Sequence, residues 1–259
     1  MRLVRVAFAA ILLSLAAAAP EVQAARGDVT VEEQYDLGLR YLKRGYYVKA
    51  LEQFNKIRNY HRDDPYAVKA ELAIADVYFE QAEWDQARVA YEEFMRLHPR
   101  HEDIDYVVYR LGLTSLKKST KVAARDQTWT RHAVTTWAGY ESRFASSEHL
   151  EEVQELLVEA KDRLAHKEFL IGEFYFRRKA YNAVISRMEG MLRTYPDCSD
   201  VPMALAMLAV SYKRVGDETT AGMAAARLTA DHPDSRAVRW LRLREPTLLA
   251  APAAEAAAP

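Results

Sequence analysis

The sequence of 259 residues predicts an all-α fold, a superhelix of paired helices, on three observations. No proline falls between Pro99 and Pro196, so nothing in that stretch forces a helix to stop. Apolar residues recur at three- and four-residue steps, and the period-two alternation of strands is scarce. Small and bulky residues also return at fixed offsets, with the period of roughly 34 residues that marks a repeat of helix pairs.

The offsets run from a small residue to an aromatic, a second small residue, a bulky one, an apolar one and a proline. From Gly38 they are filled by Tyr41, Ala50, Phe54 and Ile57, with Arg62 at the proline position and Pro65 just beyond. From Ala75 they are filled by Tyr78, Ala87, Tyr91, Phe94 and Pro99. Gly112 opens a third set, in which Ala133, Trp137, Tyr140 and Ala145 have the second-helix spacing after an insertion around 119–130. From Gly172 come Tyr175, Val184, Met188, Met191 and Pro196, and from Ala209 come Tyr212, Ala221, Ala225, Leu228 and Pro233. This is the tetratricopeptide pattern, so five repeats and about ten helices are expected. The small residues let two antiparallel helices approach, and the large ones fill the space beside them. Gly45 and Gly216 fall at intra-repeat turns, where a left-handed residue is useful. Asp64-Pro65 and Asp200-Val201-Pro202 read as helix starts. Between Ala145 and Gly172 the spacing is longer than elsewhere, and 150–176 has no breaker except Gly172. That stretch predicts one long helix, roughly 40 Å at 1.5 Å per residue, joining repeats 3 and 4. The expected organisation is an N-terminal block of three repeats over 25–148 and a C-terminal block of two over 149–240.

The ends read differently. Residues 1–24 have the form of a secretory signal: Arg2 and Arg5, an apolar run, then Val22-Gln23-Ala24 as a cleavage signal. Residues 241–259 are expected to form a disordered Ala/Pro tail. With 36 Lys+Arg against 37 Asp+Glu, the chain lacks the basic excess of a nucleic-acid binder. Its only cysteine, Cys198, excludes an intramolecular disulfide and a C-x-x-C metal site.

Catalytic motifs are not found: the chain has no G-x-S-x-G, H-E-x-x-H, P-loop or G-x-G-x-x-G. The seven histidines are scattered, and pairs such as Glu92-Glu93 and Glu151-Glu152 fit solvated helix faces. No catalytic residue, metal or cofactor is expected, and the chain is read as a non-enzymatic scaffold. The first helix of each repeat should line a groove. On that face lie Tyr35, Leu39 and Leu42, then Lys69, Leu72, Asp76 and Phe79, then Tyr106, Tyr109 and Leu113. Such a face suits an extended apolar peptide anchored by aromatics, with Lys43 or Lys69 oriented to a terminal carboxylate. The competing reading is that the face packs internally.

Tyr91-Glu92-Glu93-Phe94, Arg96-Leu97, Pro99, Ile104-Asp105-Tyr106-Val107 and Gly112-Leu113 resemble a repeat junction of the BamD family, the outer-membrane protein assembly factors of diderm bacteria. The similarity continues in Lys161-Asp162-Arg163-Leu164-Ala165, in Glu173-Phe174-Tyr175, and in Arg187-Met188-Glu189-Gly190-Met191-Leu192-Arg193 with Tyr195-Pro196-Asp197. The resemblance covers about 31–233. It implies a periplasmic scaffold at the inner face of the outer membrane, without enzymatic activity. It also implies three kinds of partner: the barrel insertase, held by its periplasmic domains; unfolded outer-membrane proteins, met through their C-terminal strand signal; and other subunits of the machinery. Arg187, with its neighbour Glu189, corresponds to the family's insertase contact. The family is normally lipidated on an N-terminal cysteine, and the one cysteine here is far downstream, so membrane association is expected to be indirect. An adaptor for cell-wall or division machinery is the alternative reading.

Overall fold

The computed structural model describes residues 29–249. The expected signal lies outside the described residues, as does the end of the expected tail. All regular structure among the described residues is helical. The described residues divide into two compact units, one ending at Ala73 and the other beginning at Ile74, and the division falls inside helix α3 (Pro65–Glu80). It does not coincide with 148/149, where the blocks of repeats were drawn.

The first unit holds α1 (Val31–Lys43), α2 (Tyr47–Tyr60) and the start of α3. A capping box opens α1: the Glu33 amide donates to the Thr30 hydroxyl at 3.1 Å, and the Thr30 amide donates to the Glu33 carboxylate at 2.9 Å. Gly38 sets the α1–α2 approach, since a Cβ there would lie 2.5 Å from the buried Phe54 ring. The turn between the helices is made by Gly45 at φ 74°, as the spacing predicted.

The second unit contains the rest of α3, α4 (Trp84–Leu97), α5 (Ile104–Lys118), α6 (Thr128–Thr136), α7 (Tyr140–Arg143) and α8 (Leu150–Arg177). It continues through α9 (Tyr181–Thr194), α10 (Val201–Arg214), α11 (Glu218–Asp231), α12 (Arg236–Arg244) and a 3-10 turn, Pro246–Leu248. Helices α8 and α9 form the fourth pair, and α10 and α11 the fifth. The long helix is present, 28 residues, about 42 Å at 1.5 Å per residue. Its early turns pack Val153, Leu156 and Leu157 with Trp137 and Tyr140. Its later turns pack Ala165 and Phe169 into the core of the last two repeats.

Three details go beyond what was read from the sequence. The second helix of the third repeat breaks into α6 and α7 at Gly139, whose φ of 70° is left-handed. The insertion is a loop, latched rather than loose. Gln127, fully buried, donates to the Val122 carbonyl at 2.9 Å and accepts from Thr130 at 2.6 Å, while Arg163 of α8 donates to Ser119 at 3.0 Å. Residues 241–248, assigned by the sequence to the tail, are folded. Leu241 is fully buried, and the buried Glu245 pairs with Arg214 and with Lys213. Packing and ion pairing hold these residues, and neither is visible in the local composition.

Candidate binding surfaces

The amphipathic pattern of α9 turns Val184, Met188 and Met191 into the core and leaves Arg187 and Glu189 exposed. The Arg187 Nη1 donates to Glu168 Oε2 of α8 at 3.0 Å. Around this pair is an open pocket of about 360 Å³, lined by Glu168, Ser186, Arg187, Gly190, Met191, Thr194 and Tyr195. Gly190 faces open space: a Cβ there would meet nothing within 4 Å. The pocket thus has an ionic rim and an apolar wall at Met191. Glu189 is not part of it. Residues two apart on a helix face different ways, and Glu189 accepts a hydrogen bond from the Tyr212 hydroxyl of α10. The pocket partners Glu168 and Tyr195 were not singled out from the sequence. Their signal was available in the repeat arithmetic, because Glu168 precedes Arg187 by the nineteen residues that join the two helices of a pair.

The expected groove residues separate by environment. In the first unit Tyr35 is half-buried against the rings of Phe54, at 5.5 Å, and Tyr66, at 5.3 Å. Leu39 is 40% exposed, Leu42 is half-buried, and Leu72 is buried. Lys69 is exposed, with its ammonium 4.9 Å from the Tyr66 ring centre. In the second unit the corresponding side chains form an interior. Asp76 accepts from the Tyr91 hydroxyl at 2.6 Å and from the Tyr106 hydroxyl at 2.8 Å. Arg110 lies 3.7 Å from the same carboxylate, donates to Tyr91 at 3.1 Å and to Glu80 at 3.0 Å, and covers the Phe79 ring at 3.7 Å. Tyr109 is buried, stacked on His149 at 4.5 Å, and donates to Glu152 at 2.9 Å. Leu113 packs in the cluster around Trp137. The aromatic face expected to meet solvent in repeats 2 and 3 is therefore consumed by a polar network and by the first turns of α8. Arg110, its organiser, was missed. The sequence carried a signal, since Leu42, Asp76 and Arg110 recur at the repeat period.

Burial raises the Asp76 carboxyl against the pull of Tyr91, Arg110 and Tyr106. It also raises Tyr91 and Tyr106, with the Asp76 charge adding to the effect. Tyr109 is pushed up to about 12 by burial and by Glu152, and Tyr212 to about 12 by burial and by Glu189. An unfolded tyrosine loses its proton near pH 10, whereas these hold theirs in the fold. The stabilisation is complete below pH ~10 and is lost as pH rises from ~10 through the folded values. Urea midpoints at pH 8, 9, 10 and 11 should be flat to about 9 and fall above it, and Tyr109→Phe should soften the fall. A midpoint unchanged up to pH 11 would contradict the tyrosine environments described.

Among the described residues, no three metal-ligating side chains gather, and no helix is long and apolar enough to cross a membrane. Burial raises the Cys198 thiol, which keeps it from acting as a ready nucleophile.

Paired helices at the repeat period, with an open pocket on the fourth pair, define a protein of the tetratricopeptide class. The chain belongs to the YfiO family, described as "Outer membrane lipoprotein", which matches residues 27–228. Relatives named "Outer membrane protein assembly factor BamD" agree with the resemblance read from the motifs. That of Neisseria meningitidis serogroup A / serotype 4A is 27% identical over 217 residues, covering 80% of this chain and 81% of the relative. That of Vibrio cholerae is 25% identical over 198 residues, covering 73% and 82%. That of Rickettsia prowazekii is 28% identical over 202 residues, covering 78% and 80%. All three are named as assembly factors and none as an enzyme.

Proposed function

We propose that this chain is a non-enzymatic scaffold of the outer-membrane β-barrel assembly machinery, working in the periplasm at the inner face of the outer membrane. Its fourth repeat holds the periplasmic domains of the barrel insertase, and its first unit receives the C-terminal strand of unfolded barrel proteins. The observation that carries the reading is the position of Arg187. It lies in the R-x-E-G-M-L run whose resemblance to the family was read from the sequence, is exposed, and stands on the rim of an open pocket. An arginine beside a pocket with an apolar wall is the type of residue that dominates protein interfaces. Its pairing with Glu168 is exposed and contributes little to folding, so the guanidinium is available to a partner carboxylate at small cost. Glu189, held by Tyr212, belongs to a neighbouring surface. For the strand signal, the accessible side chains are Leu39, Leu42 and Lys69. An apolar, aromatic strand ending in a carboxylate matches two leucines and an exposed ammonium.

Photo-crosslinking in native envelopes tests both ends of the reading. A probe at Ser186, in the pocket, should capture the insertase, and a probe at Leu39 should capture unfolded barrel proteins. Recovery of wall enzymes or division proteins in place of the insertase would establish the alternative adaptor role.

A further inference from the structure

Helix α12 is the most basic short element of a chain whose net charge is only -1. It carries Arg236, Arg239, Arg242 and Arg244 in nine residues with no acidic residue among them. Ala237, Val238 and Leu241 anchor its inner face in the core, so all four arginines are exposed on the outer side. Among the described residues none of the four forms an ion pair, and the buried Glu245 next to Arg244 is already paired with Lys213 and Arg214. Between them projects Leu243, 84% exposed. Trp240 lies on the flank, with the Arg244 guanidinium 4.1 Å from its ring centre.

A second segment joins this face. Phe176, at the end of α8, packs its ring 5.7 Å from Trp240. That contact places the end of α8 beside α12, with Arg178 and Lys179 in the turn that follows. Lys179 occupies the turn at φ 59°, a left-handed conformation that the matching turns of repeats 1 and 5 give to Gly45 and Gly216. The fourth repeat thus keeps a cationic side chain where glycine fits with less strain.

We infer that this face, α12 with the α8–α9 turn, docks directly on an anionic phospholipid surface. Clustered arginines offer bidentate donors to phosphates. A leucine and a tryptophan set among them match the boundary between headgroups and acyl chains, where apolar and amphipathic side chains sit beside cations. An acidic protein would satisfy the arginines and leave the protruding Leu243 without a role, so the bilayer is the better fit. The contact is separate from the Arg187 pocket, and it stands or falls independently of the insertase reading.

The test is sedimentation of the full chain with vesicles of phosphatidylcholine containing 30% phosphatidylglycerol, against pure phosphatidylcholine, at low and at about 0.5 M salt. Binding should require the anionic lipid and collapse at high salt. Combined Arg239→Glu, Arg242→Glu and Leu243→Ser should weaken partition at least about tenfold, each arginine being a separate contribution near such a surface. These positions are exposed, and unchanged helical circular dichroism confirms the variant's fold. Milder Arg239→Gln and Arg242→Gln changes give a graded series. Any binding through the N-terminal apolar run is common to wild type and variant and cancels in the comparison. Equal partition by wild type and triple variant, or partition indifferent to phosphatidylglycerol, would overturn the inference. So would loss of an acidic protein partner from the variant with vesicle binding intact.

Discussion

Gly112→Ala should lower the stability of the second unit by about 3 kcal/mol, at the upper end of what overpacking a core costs. In a unit of this size that corresponds to a fall in melting temperature of roughly 6–12 °C. A Cβ at this position would lie 2.2 Å from Trp137 Cε2 and 2.3 Å from its Nε1. The indole has no room to yield. It is fully buried, and its N–H donates to the Tyr109 carbonyl at 3.3 Å. Alanine's better helix propensity, about 1 kcal/mol over glycine, offsets only part of the clash. Gly172→Ala is the control. Its nearest neighbour would be Met188 Cε at 2.4 Å, the far end of a flexible side chain. A thioether can swing away, so this substitution should stay within about 1 kcal/mol of wild type. Differential scanning calorimetry of the pair separates a rigid from a compliant contact. Similar losses in both would refute the distinction.

Asp76→Ala should cost about 3 kcal/mol, because it strips a buried arginine of a partner and two buried hydroxyls of their acceptor. Arg110 is only 14% exposed on its side chain and would keep Glu80 as its one carboxylate partner among the described residues, beside the Tyr91 hydroxyl. Tyr106→Phe removes one hydrogen bond and should cost about 1 kcal/mol, and Tyr91→Phe, which removes the bonds to Asp76 and from Arg110, should cost more. A double-mutant cycle between Asp76 and Arg110 should give a coupling of at least about 1 kcal/mol. Additive effects would mean that the network is incidental to the fold. Since Asp76 and Tyr106 were read as groove residues, the same variants matter for function. Their loss should act on stability and leave capture at Leu39 unchanged.

The repeat architecture was legible because its determinants are local in spacing. Gly38 against Phe54, Gly112 against Trp137 and Gly172 against Met188 are the small-to-bulky pairs that the offsets named, and each is in contact. The long helix was legible because it lacks breakers; it ends one residue beyond the expected span. Exposure was harder to read. Tyr109 looked like a groove anchor, and the side chains that cover it, His149 and Glu152, are about forty residues away at the start of α8. Nothing in the pattern around Tyr109 announces that cover. The Asp76–Arg110 network failed for a related reason: an aspartate and an arginine one repeat apart look like ordinary surface charges until the helices are stacked. Arg187 was legible only through its motif, and its pocket required Gly190, Glu168 and Tyr195 to be seen together.

The central claim is that the Arg187 pocket holds the insertase, and the affinity of the full chain for the insertase's periplasmic domains tests it most directly. Arg187→Glu opposes Glu168 across the rim and presents a negative charge to the partner. Isothermal titration calorimetry should show binding weakened by about ten- to a hundredfold, as for a lost arginine hot spot. Circular dichroism and melting temperature should stay at their wild-type values. An affinity unchanged by the substitution would contradict the claim.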